Sequence, residues 1–189
     1  RQERGDYQES DRVLQRALQR AQAVQSPMLS DVATQLTALL TQSGKPAEAE
    51  VWCRKALEWN SRILGENDWR TLGAWNQLGM LLFDQGRAAE AESIFRDNVD
   101  RWEKKHGVDH PGTVMALHNF GSTIIDTRPD QAEALLRRAL AVGQALYGPA
   151  NRMTAGSTVA VGVALHNQGR FRDALPFLER GAESLSAIS

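Results

Sequence analysis

Apolar side chains recur along this chain at spacings of three and four: Leu36, Leu39 and Leu40; Leu78, Leu81 and Leu82; Phe120, Ile124 and Ile125. That period puts them on one face of a helix. No stretch keeps the strict alternation of a half-buried strand between hairpin turns. The pattern predicts four helices over 29–43, 71–85, 113–126 and 154–168. Each is followed by a second, over 46–64, 88–106, 130–147 and 171–187, and an unpaired helix over 7–24 precedes them. The expectation is an all-α fold of about nine helices.

The pairing reflects an internal repeat. Gly44-Lys45-Pro46-Ala47-Glu48-Ala49-Glu50 returns as Gly86-Arg87-Ala88-Ala89-Glu90-Ala91-Glu92. It returns again as Thr127-Arg128-Pro129-Asp130-Gln131-Ala132-Glu133 and as Gly169-Arg170-Phe171-Arg172-Asp173-Ala174-Leu175, at offsets of 42, 41 and 42 residues. A degenerate copy begins at Gly5. Gly65, Gly107 and Gly148 keep the same period and, like the motif glycines, suit the left-handed residue that closes a helix. Asp68 and Asp109 are placed to cap the helices that follow, and Pro111 fits a first turn. Gly79, Gly121 and Gly162 in first helices, with Ala49, Ala91, Ala132 and Ala174 in second helices, mark close crossings, where a larger side chain would cost roughly 1–3 kcal/mol. Trp52, Trp75, Phe95, Leu136 and Phe177 are the bulky partners of these small residues.

The turn glycine, the crossing glycines and the alanine five residues after the turn resemble the tetratricopeptide repeat. The long period and Gly107-Val108-Asp109-His110-Pro111 resemble its kinesin-light-chain subtype, from which Gly65-Glu66-Asn67-Asp68-Trp69 and Gly148-Pro149-Ala150-Asn151-Arg152 depart. The resemblance covers nearly the whole chain. It implies a right-handed superhelical solenoid of antiparallel helix pairs over 1–189, with the first helices lining a concave groove that holds a protein or peptide.

Composition narrows the function. Of 189 residues, 42% are hydrophobic and 24% charged, and the net charge of −1 gives no general pull toward nucleic acid or an anionic membrane. A single cysteine, Cys53, allows no internal disulfide and suits a reducing compartment, so a cytoplasmic location is expected. No apolar run has the roughly 20 residues needed to span a bilayer. His106, His110, His118 and His166 form no zinc-ligand spacing, and nucleotide-binding and nucleophile motifs are missing. The chain therefore reads as non-enzymatic, without cofactor or metal.

Helical geometry, counted from each crossing glycine, turns a set of residues toward the implied groove. These include Gln35; Asn76, Gln77, Met80, Phe83 and Asp84; His118, Asn119, Ser122 and Asp126; and His166 and Asn167. Gln35, Gln77 and Asn119 share one position, where the resemblance implies a carboxamide holding a peptide backbone; Ala160 breaks the series. The predicted first helices contain no Lys or Arg, and their charges are Asp31, Asp84 and Asp126. A peptide with basic residues beside an apolar anchor for Met80 and Phe83 fits such a face, whereas a terminal carboxylate finds no cation there. The apolar last helix points to a piece of a longer array, to self-association through the solenoid ends, or to inward packing. The alternatives to a peptide-binding adaptor are a self-associating assembly module and the regulatory region of a larger signalling protein.

Overall fold

A computed structural model describes Arg16 and residues 28–188. Apart from Arg16, which is helical, the helix expected over 7–24 and the degenerate repeat copy lie outside the described residues. Among those residues there are eight helices and no strand: α1 (Met28–Gln42), α2 (Pro46–Ile63), α3 (Trp69–Asp84), α4 (Ala88–His106), α5 (Pro111–Ile124), α6 (Pro129–Tyr147), α7 (Arg152–Asn167) and α8 (Phe171–Ser186). They follow one another as the first and second helices of four pairs. No described helix is long and apolar enough to cross a membrane.

The chain divides into two compact units, Arg1–Glu90 and Ala91–Ser189, with the division inside α4. In the first unit α2 packs against both α1 and α3. Leu36 and Leu40, Ala49 and Cys53, and Leu72, Leu78 and Leu82 are among its buried apolar residues. Burial pushes the Cys53 thiol up to about 12, and its Sγ lies 3.7 Å from the Ala74 carbonyl, so it behaves as a small core residue. In the second unit α6 packs between α5 and α7, and α8 covers α7. Its core joins Ile124, Leu136, Leu140, Val161, Leu165 and Ala174.

Each of α3, α5 and α7 starts two residues before its expected place, for one shared reason. The fourth residue of every inter-pair turn caps the next helix. Asp68 accepts from the Arg70 amide at 2.9 Å, His110 Nδ1 from the Gly112 amide at 3.0 Å, and Asn151 from the Met153 amide at 2.8 Å. The cap of α5 is thus His110 and not Asp109, because Pro111 occupies the first helical position. The earlier starts also bring Arg70 and Arg152 into first turns, so the first helices are not free of cations at their N-terminal ends.

The motif glycines work at the other end. Gly44, Gly86 and Gly169 have φ of 70°, 78° and 76°, and the amide of the next residue reaches back five positions, as Arg87 does to Leu82 at 2.9 Å. The third turn has Thr127 instead and closes through Arg128 N to Ile124 O at 2.8 Å.

Two of the crossing glycines are tight. A β-carbon on Gly121 would stand 2.7 Å from Leu136 Cγ, and one on Gly162 would stand 2.8 Å from Leu178 Cγ. Two further glycines, Gly112 under the Trp102 ring and Gly181 against Val159, are equally closed in. The facing alanines Ala49, Ala91, Ala132 and Ala174 are buried.

A polar clamp repeats with the period. The arginine after each turn reaches back to the last glutamate of the preceding motif: Arg87 to Glu50 at 2.8 Å, Arg128 to Glu92, and Arg170 to Glu133 at 2.8 Å. Beside two of these clamps, Gln85 donates to the Pro46 carbonyl at 3.3 Å and Gln168 to the Pro129 carbonyl at 3.2 Å.

Candidate functional site

In the first unit, α3 carries the most distinctive exposed side chains. Gln77, Met80 and Asp84 follow at three and four residues and share a face. Met80 is 48% exposed and Phe83, three residues further, 44%. Asp84 is exposed and Gln77 half-exposed. Gln35 is exposed on α1. Asn76 is a correction: it is buried, with its amide 4.0 Å from Met80 Sδ one turn on, and so it belongs to the frame beneath the exposed row.

In the second unit, α5 and α7 bring together residues far apart in sequence. The Asn167 amide donates to Asp126 Oδ1 at 3.0 Å and to the Ile125 carbonyl at 3.2 Å. Asp126, His166 and Asn167 are exposed, while Asn119 and Ser122 are half-buried. The Thr123 hydroxyl donates to the Asn119 carbonyl at 2.8 Å. His166 meets the Phe171 ring edge-on at 5.1 Å between centroids.

His118 has a partner that the sequence did not reveal. Its Nδ1 lies 3.0 Å from Ser157 Oγ, and burial depresses its pKa, which favours the neutral imidazole. A serine nucleophile activated by histidine also needs a group that orients the imidazole. Ser157 is wholly buried, and the contact ties α5 to α7.

Arg70 stacks over the Trp69 ring at 4.5 Å, at the start of α3. Many cations of the second helices and turns are committed: Arg54 to Glu50 at 2.7 Å, Arg137 to Glu133 at 2.7 Å, and Arg138 to Glu103. The exposed row on α3 therefore presents amide, thioether, phenyl and carboxylate groups.

Comparison with known proteins agrees with this architecture. The tetratricopeptide repeat family matches residues 70–123 and 125–187, and a second tetratricopeptide repeat family matches residues 30–69. A clustered mitochondria protein homolog from Meyerozyma guilliermondii is 22% identical over 161 residues, covering 85% of this chain. The chain spans only 13% of that protein's length. Among solved structures, BtubC (BKLC) from P. vanneervenii superposes with a TM-score of 0.85 at 21% identity, covering 100% of this chain and 76% of that one. A kinesin-light-chain-like protein of Podosopora anserina with nearly identical TPR-like repeats gives 0.76 at 16% identity, with 98% and 90% covered.

Proposed function

The chain belongs to the tetratricopeptide repeat family, whose repeats generally serve protein interaction, and from that premise we propose that the exposed first-helix row within each unit binds an extended peptide of a partner protein. The observation that carries this reading is the α3 row, in which exposed Met80 and Phe83 adjoin half-exposed Gln77 and exposed Asp84. An apolar anchor beside a carboxamide is suited to hold a side chain and a peptide backbone together, because the amide both donates and accepts. Asp84 selects a basic residue next to the anchor, which tunes partner choice and association rate more than affinity. Asn119, Ser122, Asp126, His166 and Asn167 offer the second unit a polar face of amide, hydroxyl, carboxylate and imidazole groups without the apolar anchor. The protein binds and does not catalyse in this reading, with His118 and Asn76 supporting the rows from within.

A peptide-array screen, followed by fluorescence anisotropy with the best binders, tests the proposal. Gln77→Ala and Asn119→Ala should each weaken binding about fivefold, the loss of about one net hydrogen bond. Met80→Ala with Phe83→Ala should abolish detectable binding to an apolar-anchored peptide. Unchanged affinity in all of these variants removes the assignment.

A further inference from the structure

Within the second unit, Glu103 of α4 and Arg138 of α6 form an ion pair that bridges two successive second helices. The repeat carries both positions forward. Glu103 stands four residues before Gly107, as residue 144 stands before Gly148, and Arg138 has the place in α6 that Arg180 has in α8. The arginine is kept, but the carboxylate is lost, because residue 144 is glutamine. At this place, between α6 and α8, lies a cavity of about 180 Å³ with Leu140, Gln144, Thr158, Phe177, Arg180 and Glu183 in its lining. Thr158 stands where α5 has the larger Leu117. Arg180 Nε donates to the Pro176 carbonyl at 3.0 Å, and its guanidinium lies over the Phe177 ring at 5.1 Å. These contacts orient the fork and leave both terminal nitrogens without a hydrogen bond among the described residues. Arg137, which flanks the same ring at 5.0 Å, is already paired with Glu133.

We infer that this cavity binds a monocarboxylate with a small apolar body, its carboxylate taking the role that Glu103 has between α4 and α6. A guanidinium fork holds a carboxylate through two parallel hydrogen bonds. The Gln144 amide, which has no partner among the described residues, donates to a carboxylate oxygen where Glu103 would supply one. Leu140 and Phe177 give the apolar body a surface. The volume falls short of the about 300–1,000 Å³ of a site for a drug-sized molecule, so the ligand is a short acid or one acidic side chain of a partner. Glu183, one turn beyond Arg180, repels a second negative charge and disfavours phosphate and dicarboxylates. The position is not one that a following helix pair covers. The Glu103 and Arg138 side chains keep 25% and 48% of their exposure with α7 and α8 after them.

Chemical-shift titration of the isotope-labelled whole chain tests the site with two probes, isovalerate and the blocked peptide acetyl-Ala-Glu-Ala-amide. At least one should shift the side-chain resonances of Gln144 and Arg180, and the tighter of the two identifies the source as a free acid or a protein side chain. Isovaleramide, the neutral analogue, and phosphate should bind at least about tenfold more weakly than isovalerate, the worth of one charge-assisted hydrogen bond. Gln144→Glu supplies the missing carboxylate from within and should weaken both probes by a similar factor, with thermal unfolding unchanged or raised. Arg180→Gln should weaken them equally. None of these residues belongs to the first-helix rows, so the outcome is separate from the peptide reading. Resonances that neither probe moves, isovaleramide binding as well as isovalerate, or Gln144→Glu binding like the wild type would each overturn the inference.

Discussion

Gly121 shows how much one hydrogen can matter. Leu136, which a β-carbon there would meet, is wholly buried, and the Ala132 carbonyl stands 3.3 Å from the same point, so neither neighbour has room to retreat. Ala is favoured over Gly in a helix by about 1 kcal/mol, but overpacking costs about 1–3 kcal/mol. Gly121→Ala should therefore lower stability by up to about 2 kcal/mol in urea unfolding, and Gly162→Ala by less, because Leu178 is only half-buried. Periodicity makes these two glycines legible in the sequence. Gly112 and Gly181 are not, because each answers to one particular neighbour, Trp102 or Val159, and no copy elsewhere advertises it. The same limit applies to Asn76: counting along a helix gives a direction, but which directions are covered depends on the side chains packed around it.

The eight described helices were legible as elements, since period, turn glycine and crossing residues all agree on them. Their first residues were less so. Asp is a better general cap than His, yet proline at the first helical position fixes the cap as the residue before it. His110 must therefore keep Nδ1 unprotonated to receive the Gly112 amide. Its ring stacks on Trp102 at 4.9 Å and lies 5.0 Å from the ring of His106. Burial, and then the charge of His106, depress its pKa. A histidine depressed in the folded state lets the unfolded chain take up protons first, so its contribution is intact above the ordinary value of about 6.5 and is lost as pH falls below it. His118, depressed by burial, acts with the same sign. Melting temperature should thus fall between about pH 7 and pH 5. His110→Asn should retain the cap and flatten part of that fall, whereas His110→Ala should cost about 1 kcal/mol at pH 7.

At the scale of the whole molecule, the clamps make the array sensitive to acid. Partial burial alone would raise the Glu50 pKa, but hydrogen bonds from Arg54 and Arg87 outweigh it and leave the carboxyl below its usual range. Glu133 follows the same balance, with Gln168 and Arg137 donating, and Glu92 is lowered first by Arg128. Carboxylates depressed in the folded state stabilise it above their unfolded value of about 4.3, and that stabilisation is lost as pH falls through the folded one. Stability should therefore drop a second time below about pH 5, distinct from the histidine window. Glu133→Gln should cost about 1 kcal/mol at pH 7, the upper worth of a surface ion pair, because Glu133 is partly buried, and should reduce the acid slope seen in denaturant titrations. The sequence contains both halves of every clamp, but their pairing needed the turn geometry that folds each arginine back.

Because the second, third and fourth motifs each hold one arginine facing backward and the first three each hold one glutamate facing forward, the array has the grammar of a chain of hooks and eyes. A duplicated period would arrive with both fittings already in place, so a gene could grow by tandem copying without rewriting the flanking code. Leu175 is where that series of fittings changes its last letter.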